Sequence, residues 1–165
     1  MRTKGIPGTL VTIAILLFLG ASTEAQLPKQ GRYSGKFGWW ATGTAHEVEK
    51  NHIFWVGEFN GTFFNNAGSG FLDRSSVICP GVNDIRDGVS LAYHGYCVVT
   101  DRDGDRAVLA WSGGQTPAGK FGGEFQWTGG TGKYAGITGK NTFLGFANLP
   151  TSQGYALWEG EWQLP

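Results

Sequence analysis

His52-Ile-Phe-Trp-Val-Gly-Glu-Phe-Asn-Gly-Thr-Phe-Phe64 reads with a period of two, not of 3.6. Ile53, Trp55, Gly57, Phe59, Gly61 and Phe63 share one side of an extended chain, and His52, Phe54, Val56, Glu58, Asn60, Thr62 and Phe64 share the other. The closing stretch repeats the pattern: Ala156, Trp158, Gly160, Trp162 and Leu164 oppose Tyr155, Leu157, Glu159, Glu161 and Gln163. Glycines set between aromatic residues suit sharply curved strands, because a ring can lie over the bare backbone beside it. Curvature of that kind is what a small closed barrel requires.

Working outward, the same periodicity marks eight segments, at 33–48, 52–64, 71–79, 89–100, 106–111, 119–127, 141–149 and 155–164. Turn-formers separate them: Asn65-Asn-Ala-Gly-Ser-Gly70, Pro80-Gly-Val-Asn-Asp84, Asp101-Arg-Asp-Gly-Asp105 and Gly129-Gly-Thr-Gly132. No segment carries a sustained amphipathic helix with caps. Short connections between consecutive strands favour an antiparallel meander that closes on itself, so the expected fold is all-β, a single eight-stranded antiparallel barrel.

Composition narrows the function classes. Of 165 residues, 28 are Gly and 14% are aromatic, while only 16% are charged. Glycine without a G-X-Y period is not collagen, and the interleaved aromatics argue against disorder. Thirteen basic side chains balance thirteen acidic ones, so no basic stripe or net field points to nucleic acid. No nucleophile elbow, phosphate loop or dinucleotide fingerprint is present, and no cofactor is implied.

The N-terminus reads as an export signal. Arg2 and Lys4 precede the apolar run Leu10-Val-Thr-Ile-Ala-Ile-Leu-Leu-Phe-Leu19, and Thr23 and Ala25 supply small residues for a cut before Gln26. That run spans roughly 15 Å as a helix, about half a hydrocarbon core, so stable membrane insertion after cleavage is not expected. The division is therefore a signal peptide at 1–25 and a barrel domain at 26–165, in an exported protein, periplasmic or secreted. Two cysteines remain, Cys79 and Cys97. In an oxidising compartment an even pair reads as a disulfide. The competing reading, a reactive thiol or a metal ligand, has only His94 near Cys97 in its favour and no CxxC.

The segment Gly129-Gly-Thr-Gly-Lys-Tyr-Ala-Gly-Ile-Thr-Gly139, followed by Lys-Asn-Thr-Phe, resembles the late strand-loop-strand signature of allene oxide cyclase/dirigent-like barrels. The Asp-x-Asp-Gly-Asp hairpin before it and the closing Gly-Tyr-Ala-Leu-Trp-Glu-Gly-Glu-Trp strand are similar to small exported bacterial members of that family. The likeness runs from Tyr33 to Pro165 in strand order, and its specific part is 129–143. It implies an eight-stranded antiparallel barrel with a mostly apolar cavity. It also implies three kinds of activity: cofactor-free cyclisation or isomerisation of a lipid-like substrate, stereochemical guidance of phenolic radicals, or plain binding. No catalytic residue of the family maps onto a position here.

The candidate site residues follow from the residues themselves. Glu58, mid-strand in Phe-Trp-Val-Gly-Glu-Phe, is costly to bury unless partnered, and on a lumen face it would be a plausible acid or base. His94, in the strand that holds Tyr93 and Tyr96, is the second candidate for proton transfer. Trp55, Tyr93, Tyr96, Trp111, Trp127 and Trp158 are the candidate ligand-binding rings. Which face lines the lumen is open, because both faces carry aromatics. The aspartates of 101–105 read as a hairpin turn rather than a calcium loop. His46 and His52, beside Glu47 and Glu49, read as solvated hairpin residues rather than a zinc set, so no metal is expected. Three functions compete: binding of a small hydrophobic or aromatic molecule, a cofactor-free cyclase or isomerase acting on a lipid-like or polyketide-like substrate, and a structural or interaction protein whose barrel is filled by side chains.

Overall fold

The computed structural model describes residues 27–116 and 120–165; the expected signal peptide lies outside the described residues. Eight strands follow one another: β1 (Gln30–Glu49), β2 (His52–Asn65), β3 (Ser75–Arg86), β4 (Val89–Thr100), β5 (Arg106–Gln115), β6 (Phe121–Gly130), β7 (Lys140–Asn148) and β8 (Gln153–Gln163). Each pairs antiparallel with the next, and β8 returns to β1 to close the barrel.

Register assigns the faces. Trp39, Ala41 and Gly43 of β1 stand opposite Gly61, Phe59 and Gly57 of β2, and this row points inward. Ring-over-glycine packing holds the curvature: Trp55 covers Gly43 and Gly57, Trp111 covers Gly81 and Gly95, and Trp39 covers Gly154. A Cβ at any of these glycines would meet an indole or a neighbouring strand's backbone, so each inward ring needs the bare backbone it covers.

One strand differs from the sequence expectation. The segment expected at 71–79, with a turn at Pro80–Asp84, is instead β3 from Ser75 to Arg86, and Phe71–Arg74 is a turn. The hairpin turn lies further on, at Asp87-Gly88, where φ is +49° and +77°. Two consecutive left-handed residues are what a two-residue hairpin asks for, and Asp-Gly supplies them. Pro80 is tolerated in the strand because the β3–β4 pairing passes from Ile78↔Val98 to Gly81↔Gly95 around it, where a residue without an N–H costs no ladder bond. The Cys79–Cys97 disulfide joins the two strands at this interruption, as the sequence led us to expect.

One end of the barrel is plugged. The β2–β3 loop folds Phe71 and Leu72 under it, both buried, with Leu72 held at φ +53°. Phe71 lies flat on Trp162, ring centroids 4.8 Å apart and planes 8° apart, and also meets Tyr33, Trp127 and Tyr134. Phe63 stacks on Trp158 at 5.3 Å. These buried rings pack against one another and fill the lower lumen.

The signature loop after β6 belongs to this closed end. Lys133 pairs with Asp101 at 2.9 Å and also with Asp103, while the Lys133 N–H donates to Asp105. Gly132, at φ +53°, has the Asp105 carboxylate where a side chain would stand. Burial alone would raise the Asp101 carboxyl; hydrogen bonds from Lys133, Tyr134 and the Asp103 backbone outweigh it and hold it below the usual carboxylate range. The acidic turn is thus a structural clasp between the β4–β5 hairpin and the 129–139 loop.

Candidate functional site

At the opposite end the barrel is hollow. A cavity of about 570 Å³ opens between the β1–β2 and β3–β4 hairpins and the β7–β8 connection. Its depth is set by Phe37, Phe125 and Trp158, its waist by Trp39, Phe59 and Trp111, and its mouth by Gly43, Ile85 and Leu149. The volume is within the range that small-molecule sites occupy. β1 continues past its last β8 partner, Trp40↔Gln153, so 42–49 rises above the mouth paired to β2 alone. His52 anchors that rise: its ring is buried, with Nε2 2.9 Å from Asp84 and Nδ1 3.4 Å from Glu49, which also pairs with Arg86. His52 is therefore a clamped rim residue rather than the solvated one expected from sequence.

The wall is mostly apolar and carries no charge. Among the described lining residues there is no Asp, Glu, His, Lys or Arg. The ionisable lining side chain is Tyr93, whose hydroxyl donates to the Gly122 carbonyl at 3.2 Å. Burial pushes that phenol above its ordinary value, so it stays protonated at any physiological pH and has its proton committed to the strand next door.

The structure divides the sequence candidates by face and by depth. Trp55, Tyr93, Trp111 and Trp158 line the cavity. Tyr96 does not: three residues from Tyr93 on a strand, it points the other way and is 60% exposed. Trp127 points inward but lies in the filled end, against Tyr33, Phe71 and Phe125. Glu58 sits on the outer face, opposite Thr42 and Pro80, and accepts a hydrogen bond from Asn60 at 2.8 Å. His94 is likewise on the outer face and exposed. Neither carboxylate nor imidazole reaches the cavity, because period-two alternation puts both on the side away from Phe59 and Tyr93. The rings that sequence reasoning left out, Trp39, Phe59 and Phe143, share the inward parity of Trp55 and Trp158 in the register, and that parity was the signal for them.

No known family's sequence profile matches the chain, and no curated protein matches its sequence. Solved structures do match. The pterocarpan synthase dirigent protein PsPTS1 superposes with a TM-score of 0.54 at 12% identity, covering 85% of this chain and 98% of that one. The fold is that of a dirigent-like barrel. A second pterocarpan synthase dirigent protein, GePTS1, superposes with a TM-score of 0.52 at 11% identity, over 96% of this chain and all of the other. At such identities the likeness carries the architecture: a closed eight-stranded meander, as the sequence resemblance implied. The dirigent-like barrel here places its uncharged aromatic lumen at the end opposite the signature loop.

Proposed function

We propose that this protein binds a small neutral, apolar or aromatic molecule in the open half of its barrel. The observation that carries the reading is the cavity wall: about 570 Å³ lined mainly by aromatic and aliphatic side chains, with a few neutral polar residues such as Asn83, Asn148 and Ser152 and no charged group among the described lining residues. A charged ligand would lose its hydration there and find no counter-ion, whereas a flat neutral one would exchange water for ring contacts. The dirigent-like architecture supports a role in holding or guiding small molecules. Against proton-transfer catalysis stand the outward placement of Glu58 and His94 and the committed proton of Tyr93. Any turnover in this cavity would rest on holding a reactive conformer, not on an acid or base of the wall. The test is a fluorescence titration with 1-aminoanthracene, a neutral aromatic probe, against the protein and an Ala41→Trp variant that fills the waist. Saturable enhancement with the first, lost in a folded variant, supports the reading; enhancement unchanged by Ala41→Trp places the probe elsewhere and rejects it.

A further inference from the structure

The outer wall of β2, β1, β8 and β7 carries a second surface, which meets the cavity lining at Phe146. In register, Phe64, Lys36 and Leu157 form one row, with Gly38, Tyr155 and Phe146 beside it and Trp40 beyond. Trp40, Phe64 and Leu157 are 52%, 50% and 41% exposed. Lys36 lies 4.8 Å over the Tyr155 ring and Lys120 lies 5.2 Å over Phe146, while Tyr155 and Phe146 stack on each other at 4.8 Å. Nothing stands within 4 Å of a Cβ built on Gly38, so the middle of the surface is a shallow open floor. No outward position in these rows is acidic, and neither lysine takes part in an ion pair among the described residues. The nearest outward carboxylates are at the margin: Glu159 and Glu124, which flank Thr142 in the row next to Leu157 and Leu144, and Glu58, which accepts the Asn60 hydrogen bond.

Clustered exposed apolar side chains mark an interaction surface, and the charge decides the partner. A second copy meeting this face about a two-fold axis would bring the lysines and apolar rows against their own copies, with carboxylates only along the Glu159 and Glu124 margin. The partner must therefore supply both anions and apolar depth. Exposed Trp and Tyr rings flanked by lysines whose stems lie along apolar surface suit the boundary between lipid headgroups and acyl chains. We propose that this face seats the barrel peripherally on an anionic lipid surface, with Trp40, Phe64 and Leu157 entering the headgroup layer and Lys36 and Lys120 meeting the phosphates.

Vesicle flotation tests this. The full chain at low salt should float with vesicles of equal phosphatidylglycerol and phosphatidylcholine, and should stay at the bottom with phosphatidylcholine alone. Each lysine neutralised should weaken partitioning about fivefold, so Lys36→Gln with Lys120→Gln should reduce it by more than tenfold, roughly. Trp40→Ser should reduce it without changing the thermal melt, and Arg106→Gln on the opposite wall should leave it unchanged. All variants keep the same N-terminus, so the apolar run at 10–19 does not account for a difference between them. Three results would overturn the proposal: no flotation of the wild type at low salt, flotation indifferent to Lys36 and Lys120, or a sedimentation shift showing self-association that Trp40→Ser abolishes.

Discussion

The ring-over-glycine architecture predicts that one substitution, Gly to Ala, changes sign with position. At Gly95 a Cβ would collide with the Pro80 carbonyl oxygen and stand 2.8 Å from both the Gly81 Cα and the Trp111 ring. Two of those neighbours are backbone, in strands tied by the Cys79–Cys97 disulfide, so they yield only by moving β3 against β4. Overpacking of this kind costs about 1–3 kcal/mol, and immovable backbone places Gly95→Ala at the upper end. At Gly38 the same Cβ meets nothing within 4 Å and its φ is unexceptional. There the loss of unfolded-chain freedom dominates, and Gly38→Ala should stabilise by about 0.4–1 kcal/mol. A domain of this size loses roughly 2–5 °C of Tm per kcal/mol. The two variants should therefore melt about 10 °C apart, on either side of the wild type. Urea unfolding of both, with the slopes compared, is the assay. If Gly95→Ala costs no more than Gly38→Ala, the packing of Trp111 on the β3–β4 backbone is wrong.

Two further outcomes follow from the clasp and the disulfide. Replacing Cys79 and Cys97 by Ala opens a loop with a separation of 18 residues and should cost about 3 kcal/mol in urea unfolding, matched by adding reductant to the wild type. Asp101 is held below its ordinary value, so its stabilising contribution is complete above the unfolded-state value and is lost as pH falls through the folded one. Lys133→Met should therefore destabilise at neutral pH and shift acid unfolding to higher pH. The difference from wild type should vanish once Asp101 is protonated in both states, as followed by circular dichroism.

The fold was legible because period-two alternation and aromatic-glycine spacing constrain the chain locally. Trp55 and Gly57 fall on the same face in the sequence, and in the structure the ring lies over that glycine. The 129–139 loop was legible through its likeness to a family signature; in the structure its Gly132 and Lys133 meet the aspartates of 101–105. Pro80-Gly81 misled because its residues have turn chemistry, while unbroken pairing with β2 and pairing with β4 before and after the interruption override it. The face of Glu58 was not legible, since Phe54 and Phe64 on its side imitate Trp55 and Phe59 on the other; only closure with β1 and β3 chooses between them. Tyr93 and Tyr96 could not both have lined a lumen, as three residues along a strand reverse the side chain. Trp127 and Trp111 share a face in register terms but differ in depth, and depth depends on where Phe71 and Leu72 plug the barrel. That plug comes from Phe71 and Leu72, whose apolar side chains read as the start of a strand rather than as part of a loop.

The hollow upper lumen is the centre of the account, and a crystal structure of the protein grown with 1-aminoanthracene tests it most directly. The probe should lie between Trp39, Phe59 and Trp111, with Tyr93 still bonded to the Gly122 carbonyl. A lumen closed by inward-turned side chains, or probe bound only on the outer wall, would contradict it.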